Sequence, residues 1–191
     1  FAANTGEATE YIIDSKEALI NFAKNPTKSA KVTANIDMSG YDWTPIDGFA
    51  ANFDGGNFEI KGLNAPLFAL THAIIKNVKL VDVNMTTNNR LRFGALACEV
   101  VSTGNTSISN CEVSGTITVS NPGFTPASSY SSIYDVVSVG GLVGYVKGAA
   151  FVNCENKAAI TVSQVFQDGA STRINPTVGG IAGYLNSITP E

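Results

Sequence analysis

The spacing of apolar residues changes once along the chain. In YIIDSKEALINFAKN at positions 11–25, Leu19, Ile20, Phe22 and Ala23 recur at helical spacing and draw one apolar stripe. Asp14 followed by Glu17 predicts a capping box at the start of this helix, and Asn25-Pro26 predicts its end. From Lys31 the period becomes two. Val32, Ala34, Ile36 and Met38 alternate with Thr33, Asn35 and Asp37, the pattern of a half-buried strand. Ser39-Gly40 turns the chain into YDWTPID, and Asp54-Gly55-Gly56 leads into a second alternating run through Phe58, Ile60 and Leu63. No helical pattern follows residue 25.

Beyond residue 64 the sequence repeats itself. VGGLVGYV at Val139–Val146 returns as VGGIAGYL at Val178–Leu185, with weaker echoes at Phe93–Glu99 and Ala65–Thr71. Aligning the cores puts Leu67, Ala95, Leu142 and Ile181 in one slot. Phe68, Leu96, Val143 and Ala182 share the next, and Leu70, Cys98, Tyr145 and Tyr184 a third. A second phrase (IKNVKL, ISNCEV, FVNCEN) follows three of the cores and aligns Asn77, Asn110 and Asn153. Short alternating strands come next, through Val83/Met85, Ile117/Val119 and Ile160/Val162. The irregular spacing between cores arises in one place, after these strands, where the insertions Thr86–Arg92, Ser120–Val137 and Ser163–Thr177 fall.

A strand-rich repeat of this size predicts an all-β fold, a parallel β-helix or solenoid, with successive coils stacked like on like. Its first segment, residues 1–30, would carry the short amphipathic helix as a cap over the open end of the core. Residues 31–191 would form the coils, the last of them incomplete and the chain part of a longer one. An unfinished coil leaves an open strand edge, so end-to-end association is expected. The three stacked asparagines admit two readings. They form an amide ladder from coil to coil, or each serves its own turn in a left-handed conformation.

Gly141-Leu142-Val143-Gly144 and Gly180-Ile181-Ala182-Gly183 resemble the GLUG motif, named for its Gly-Leu-any-Gly core. The helix, the strand ending near Asp37-Met38, the W-x-P-I run at Trp43–Ile46 and FDGGNFEIKGL are also similar to that family, while the cores at Pro66–Ala69 and Gly94–Ala97 are degenerate. Such repeats occur in bacterial surface proteins and before the protease domain of IgA-specific metallopeptidases. The resemblance implies a right-handed β-helix on a secreted or cell-surface protein, generally a non-catalytic adhesive or spacer region. It supplies no catalytic residues.

Composition narrows the function classes. The net charge of −4 without a basic cluster argues against nucleic acid, and no apolar run reaches the roughly 18 residues of a membrane span. The chain begins at Phe1, which is compatible with a removed leader and with secretion. The three cysteines show no metal-binding spacing, so neither a metal nor another cofactor is expected. They read as small buried hydrophobes, with a Cys111–Cys154 bridge between neighbouring coils as the alternative.

Two carboxylates, Glu112 and Glu155, fall at one position of adjacent coils and repel each other there. That pair is the best candidate for cation binding or catalysis, weighed against a solvated ladder that continues to Lys79. Asp37, Asp42, Asp47 and Asp54 each lie beside a turn residue, and turn chemistry accounts for them. His72, the single histidine, has no partner in a nucleophile motif.

The insertions are the better binding candidates, since loops leaving one corner of every coil gather on one side. Phe124, Tyr130, Tyr134 and Asp135 in one loop, and Phe166, Asp168 and Arg173 in the other, offer aromatic faces beside charges. They suit a glycan or a host surface protein, or else they pack down to hold the loops. The expectation is a non-enzymatic extracellular module for adhesion or display. A carbohydrate-active enzyme or carbohydrate-binding module on the same fold, and a plain spacer, are the alternatives.

Overall fold

The computed structural model describes residues 10–88, 92–120, 137–163 and 177–186. The chain is all-β with a single helix among the described residues, and every strand pairing is parallel. β1 (Tyr11–Ile13), β2 (Ala30–Val32), β4 (Phe53–Asp54), β7 (Ile74–Lys76), β11 (Ser107–Ser109) and β15 (Ala150–Val152) form one sheet in that spatial order. A second sheet runs from β3 (Ile36–Asp37) through β5 (Glu59–Lys61), β8 (Lys79–Thr87) and β12 (Glu112–Ser120) to β16 (Glu155–Asn156), with β17 (Ala159–Ser163) also on β12. β6 (Phe68–Thr71), β10 (Ala97–Val101), β14 (Val143–Lys147) and β19 (Ala182–Asn186) make a third. β9 (Arg92–Phe93), β13 (Ser138–Gly140) and β18 (Thr177–Gly179) make a fourth. Each strand thus lies beside the strand one pass later, and apart from the first, which carries the helix Lys16–Lys24, the crossovers that parallel pairing requires hold strands rather than helices among the described residues.

The register explains the sequence pattern. Ala30, Phe53, Ile75, Ile108 and Phe151 lie one above another, as do Ile36, Ile60, Leu80 and Val113. All but Phe151 are buried. These columns form the core, and like residues recur because each inward position must match the one below it. Helix α1 (Lys16–Lys24) lies between β1 and β2 and buries Leu19 and Phe22, the ring of Phe22 meeting Tyr11, Phe49 and Phe53. Ser15, not Asp14, is its cap, its hydroxyl accepting from the N–H of Ala18 at 3.3 Å. Asp14 instead accepts the Ser15 hydroxyl proton, so the expected capping box is replaced by a simple serine cap.

Two further expectations are corrected. The alternating run at 32–38 is not one strand: β2 and β3 belong to different sheets, and the chain turns a corner at 33–35. A corner preserves apolar alternation because the core is inside on both sides of it. The degenerate repeat is also shifted by one residue. Ala97, not Leu96, pairs with Phe68 and Val143, and Glu99, not Cys98, pairs with Leu70 and Tyr145. Cys98 thereby falls where the later passes have Gly144 and Gly183. A β-bulge at Asp82, whose φ is 50°, shifts β8 against β12 by one residue, so that Met85 rather than Asn84 lies beside Ile117.

The glycines of the repeat answer to packing. A Cβ on Gly144 would overlap the backbone nitrogen of Phe93, and one on Gly183 would overlap that of Val139. Their side of the third sheet lies directly against strands of the fourth. Asparagine serves both of its expected roles at once. Asn77, Asn110 and Asn153 have φ of 56°, 52° and 51°, and their amides form a ladder, Asn153 donating to Asn110 and Asn110 to Asn77. Asn77 donates in turn to Asp54 at 2.9 Å.

Candidate functional site

Three insertions interrupt the strands, and their roots are stacked. On departure Thr87 lies beside Val119 and Val119 beside Val162, while Ser120 pairs with Ser163. On return Arg92 pairs with Ser138, and Ser138 with Thr177. The Thr177 N–H donates to the Val137 carbonyl at 2.8 Å, and its hydroxyl donates to Ser138 Oγ at 3.2 Å. The insertions therefore leave and rejoin at one corner. Phe124, Tyr130, Tyr134, Asp135, Phe166, Asp168 and Arg173, the residues favoured for binding, lie outside the described residues.

The same corner, on the preceding passes, carries a notch of about 290 Å³. Asp42–Pro45, Asn64–Pro66, Thr86, Thr87 and Phe93 line it. Trp43, Pro66 and Phe93 are buried at its base, while Asp42, Thr44, Asn64 and Thr86 are exposed around it. Two prolines keep the chain extended here and leave carbonyls without neighbouring donors. The Trp43 indole N–H takes one of these, the Pro66 carbonyl, at 3.1 Å. Asn64 accepts from the Trp43 N–H at 3.0 Å and donates to Asp42 at 3.2 Å. Asp42, read from sequence as a turn residue, is thus held at the mouth of a concave polar site. The signal within reach was the pairing of W-T-P with A-P on successive turns.

Glu112 and Glu155 do pair in register, and Lys79 lies on the other side of Glu112. The repulsion expected between them is met by Lys157, whose ammonium lies 2.8 Å from Glu112 and 3.2 Å from Glu155. Hydrogen bonds first to Glu112 and then to Glu155 raise the Lys157 pKa above the ordinary lysine value. Lys157 is two residues from Glu155, but only the fold brings it to Glu112, and sequence spacing did not single it out. Among the described residues no group of three or more His, Cys, Asp or Glu side chains is arranged to hold a metal ion.

A second column, buried to partly buried, was missed. Arg92 forms an ion pair with Glu99 and sets its guanidinium 4.1 Å from the centre of the Tyr145 ring. Tyr145 stacks on Tyr184 with centroids 5.6 Å apart and planes at 4°, and Asn186 donates to the Tyr145 hydroxyl at 3.3 Å. The slot alignment gave these tyrosines as apolar repeat positions, and the one-residue shift hid Glu99 beneath them. His72 is occupied with backbone, its Nδ1 lying 2.7 Å from the Val101 carbonyl oxygen.

The described molecule is an all-β protein of stacked parallel strands with one loop-bearing, notched corner. Among solved structures it is similar to one described as a "putative immunoglobulin A1 protease from Bacteroides ovatus", with a TM-score of 0.58 at 18% sequence identity. The likeness covers 95% of this chain and 75% of that one, and it is a likeness of fold. No family model matches the chain, and no curated protein does. Among the described residues no helix is long and apolar enough to cross a membrane.

Proposed function

We propose that this chain is a right-handed parallel β-helix of GLUG-type repeats that works as a non-enzymatic module for adhesion or display, outside the bacterial cell or on its surface. It recognises a glycan or a host protein at the corner where the insertions gather. In-register parallel passes joined by strands support the winding, and right-handed crossover is the strong rule for parallel strands. The structure that shares this fold is described as a "putative immunoglobulin A1 protease", and fold alone assigns neither function nor location.

The observation that carries the reading is the stacking of the insertion roots, Thr87–Val119–Val162 on one side and Arg92–Ser138–Thr177 on the other. The notch beside these roots adds a carboxylate, an amide and threonine hydroxyls, groups that suit a hydroxyl-rich ligand. The Lys157 clamp favours a structural part for Glu112 and Glu155 over a catalytic one.

The test is binding to a glycan array and to immobilised host matrix proteins. Wild-type protein is compared with the Tyr130→Ala/Tyr134→Ala variant and with one whose residues 121–136 and 164–176 are replaced by short Gly/Ser linkers. Binding by the wild type and its loss in both variants, at unchanged circular dichroism, is the expected result. Binding that survives removal of both loops would sink the reading. Turnover of a polysaccharide that disappears in Glu112→Gln or Glu155→Gln would replace it with an enzymatic one.

A further inference from the structure

Cys111 and Cys154 occupy the same place on consecutive passes. Their neighbours pair directly, Ser109 with Val152 and Glu112 with Glu155, and nothing shifts the register between them. Backbone hydrogen bonds fix the gap, the Glu155 N–H donating to the Cys111 carbonyl at 2.9 Å as the Glu112 N–H does to Val78 at 2.8 Å. In-register parallel neighbours stand about 4.8 Å apart, inside the roughly 4.4–6.8 Å range of Cα separations that a disulfide spans. Both thiols occupy the same gap. Cys111 Sγ lies 3.3 Å from the Ser109 carbonyl oxygen, and Cys154 Sγ reaches one pass down to the Ile108 carbonyl at 3.5 Å. Both are free thiols in this structure, Cys111 buried and Cys154 partly exposed.

We propose that this pair is a redox-modification site, at which an external disulfide oxidises Cys111 and Cys154 to a bridge between consecutive passes. The partly exposed Cys154 is the point of entry. Its thiolate attacks a sulfur of a small-molecule disulfide such as glutathione disulfide, forming a mixed disulfide and releasing one glutathione thiolate. Cys111 then gives up its proton and attacks Cys154 Sγ, and the second glutathione leaves as a thiol. Two protein S–H bonds become one S–S bond, and the two electrons and two protons are taken up by the glutathione that is released.

Interaction with Cys111 lowers the Cys154 pKa against the opposing effect of burial and favours the Cys154 thiolate. The same partnership, with burial, holds the Cys111 proton on, so that Cys154 is the first of the two to react. The bridge would join the passes on either side of the 121–136 insertion and so fix its root. It stands on the register alone and is independent of what the loops bind.

The native protein is incubated in a glutathione redox buffer, alkylated, digested and mapped by mass spectrometry. A cross-linked Cys111–Cys154 peptide is expected, with Cys98 left to the alkylating agent. Thermal unfolding of the oxidised protein should shift up by about 10 °C, an increase that dithiothreitol reverses. Cys111→Val, which copies Val78 at the same place one pass below, should stall with glutathione on Cys154. A wild-type protein that stalls at that mixed disulfide, bridges through Cys98, or takes up no glutathione while folded overturns the proposal.

Discussion

At the scale of single residues, two kinds of position depend on charge or backbone sign rather than on apolar burial. Asp54 sits at the foot of the asparagine ladder. Burial alone would raise its pKa, but hydrogen bonds from Asn77 and the Gly56 N–H, with the Lys76 ammonium 3.3 Å away, carry it below the ordinary value. A carboxyl with a depressed folded pKa contributes stability that is fully present above its unfolded value, about 3.9, and is lost as pH falls through the folded one. The urea midpoint of wild type should therefore fall more steeply than that of Asp54→Asn as pH drops from 5 to 2. Parallel curves would mean that the charge contributes nothing. One step up the ladder, Asn110 combines a φ of 52° with two ladder hydrogen bonds. Asn110→Ala should cost about 2 kcal/mol and Asn110→Gly about 1 kcal/mol less, because glycine keeps the left-handed backbone and loses only the amide. Equal costs in urea unfolding would assign the whole effect to the ladder.

At the scale of strands and turns, the repeat was legible where its glycines are intact and misread where they are not. Gly141 and Gly180 anchor their cores, and the pairing Val143 with Ala182 follows from the sequence directly. Phe93–Glu99 has one glycine and a run of small apolar residues, so apolarity alone could not fix its register, and the alignment slipped by one. Nor could it show that Trp43, Pro66 and Phe93 enclose a notch, or that Arg92 reaches across to Tyr145, since these contacts join positions of unrelated spacing. The same packing separates glycines that look equivalent. Gly144 lies against the backbone of Phe93, whereas an added Cβ on Gly180 meets nothing within 4 Å, and neither has a positive φ. Gly144→Ala should lower stability by about 3 kcal/mol or more, because backbone must move to admit the methyl group. Gly180→Ala should lie within about 0.5 kcal/mol of wild type. Thermal unfolding of the two variants measures the contrast, and similar midpoints would show that close approach is not what the motif glycine provides.

At the scale of the whole molecule, burial is graded along the stack. Val139 is 0% exposed and its partner on the following pass, Val178, is 52%. Val146 is 1% exposed and its partner Leu185 is 66%. These are the same columns of the same sheets, so among the described residues the difference lies in whether another layer stacks above. At the other end α1 closes the core with Leu19 and Phe22. Stability in a stacked array is a sum of terms between neighbouring passes, and a pass with one neighbour should open before a pass with two. Amide exchange should accordingly be fastest in β18 and β19 and slowest in β7 and β11. Val146→Ala should cost about 2–3 kcal/mol and Leu185→Ala less than about 1 kcal/mol, despite the larger side chain removed in the second. Both values are best taken from urea unfolding at several protein concentrations. A Leu185→Ala cost that climbs with concentration would mean that Leu185 becomes buried when molecules meet, and light scattering on the same samples would show the end-to-end association that an open strand edge invites. A cost that stays small at every concentration leaves the last described pass as the weak end of the stack, with the asparagine ladder and the loop corner held chiefly by the passes beneath it.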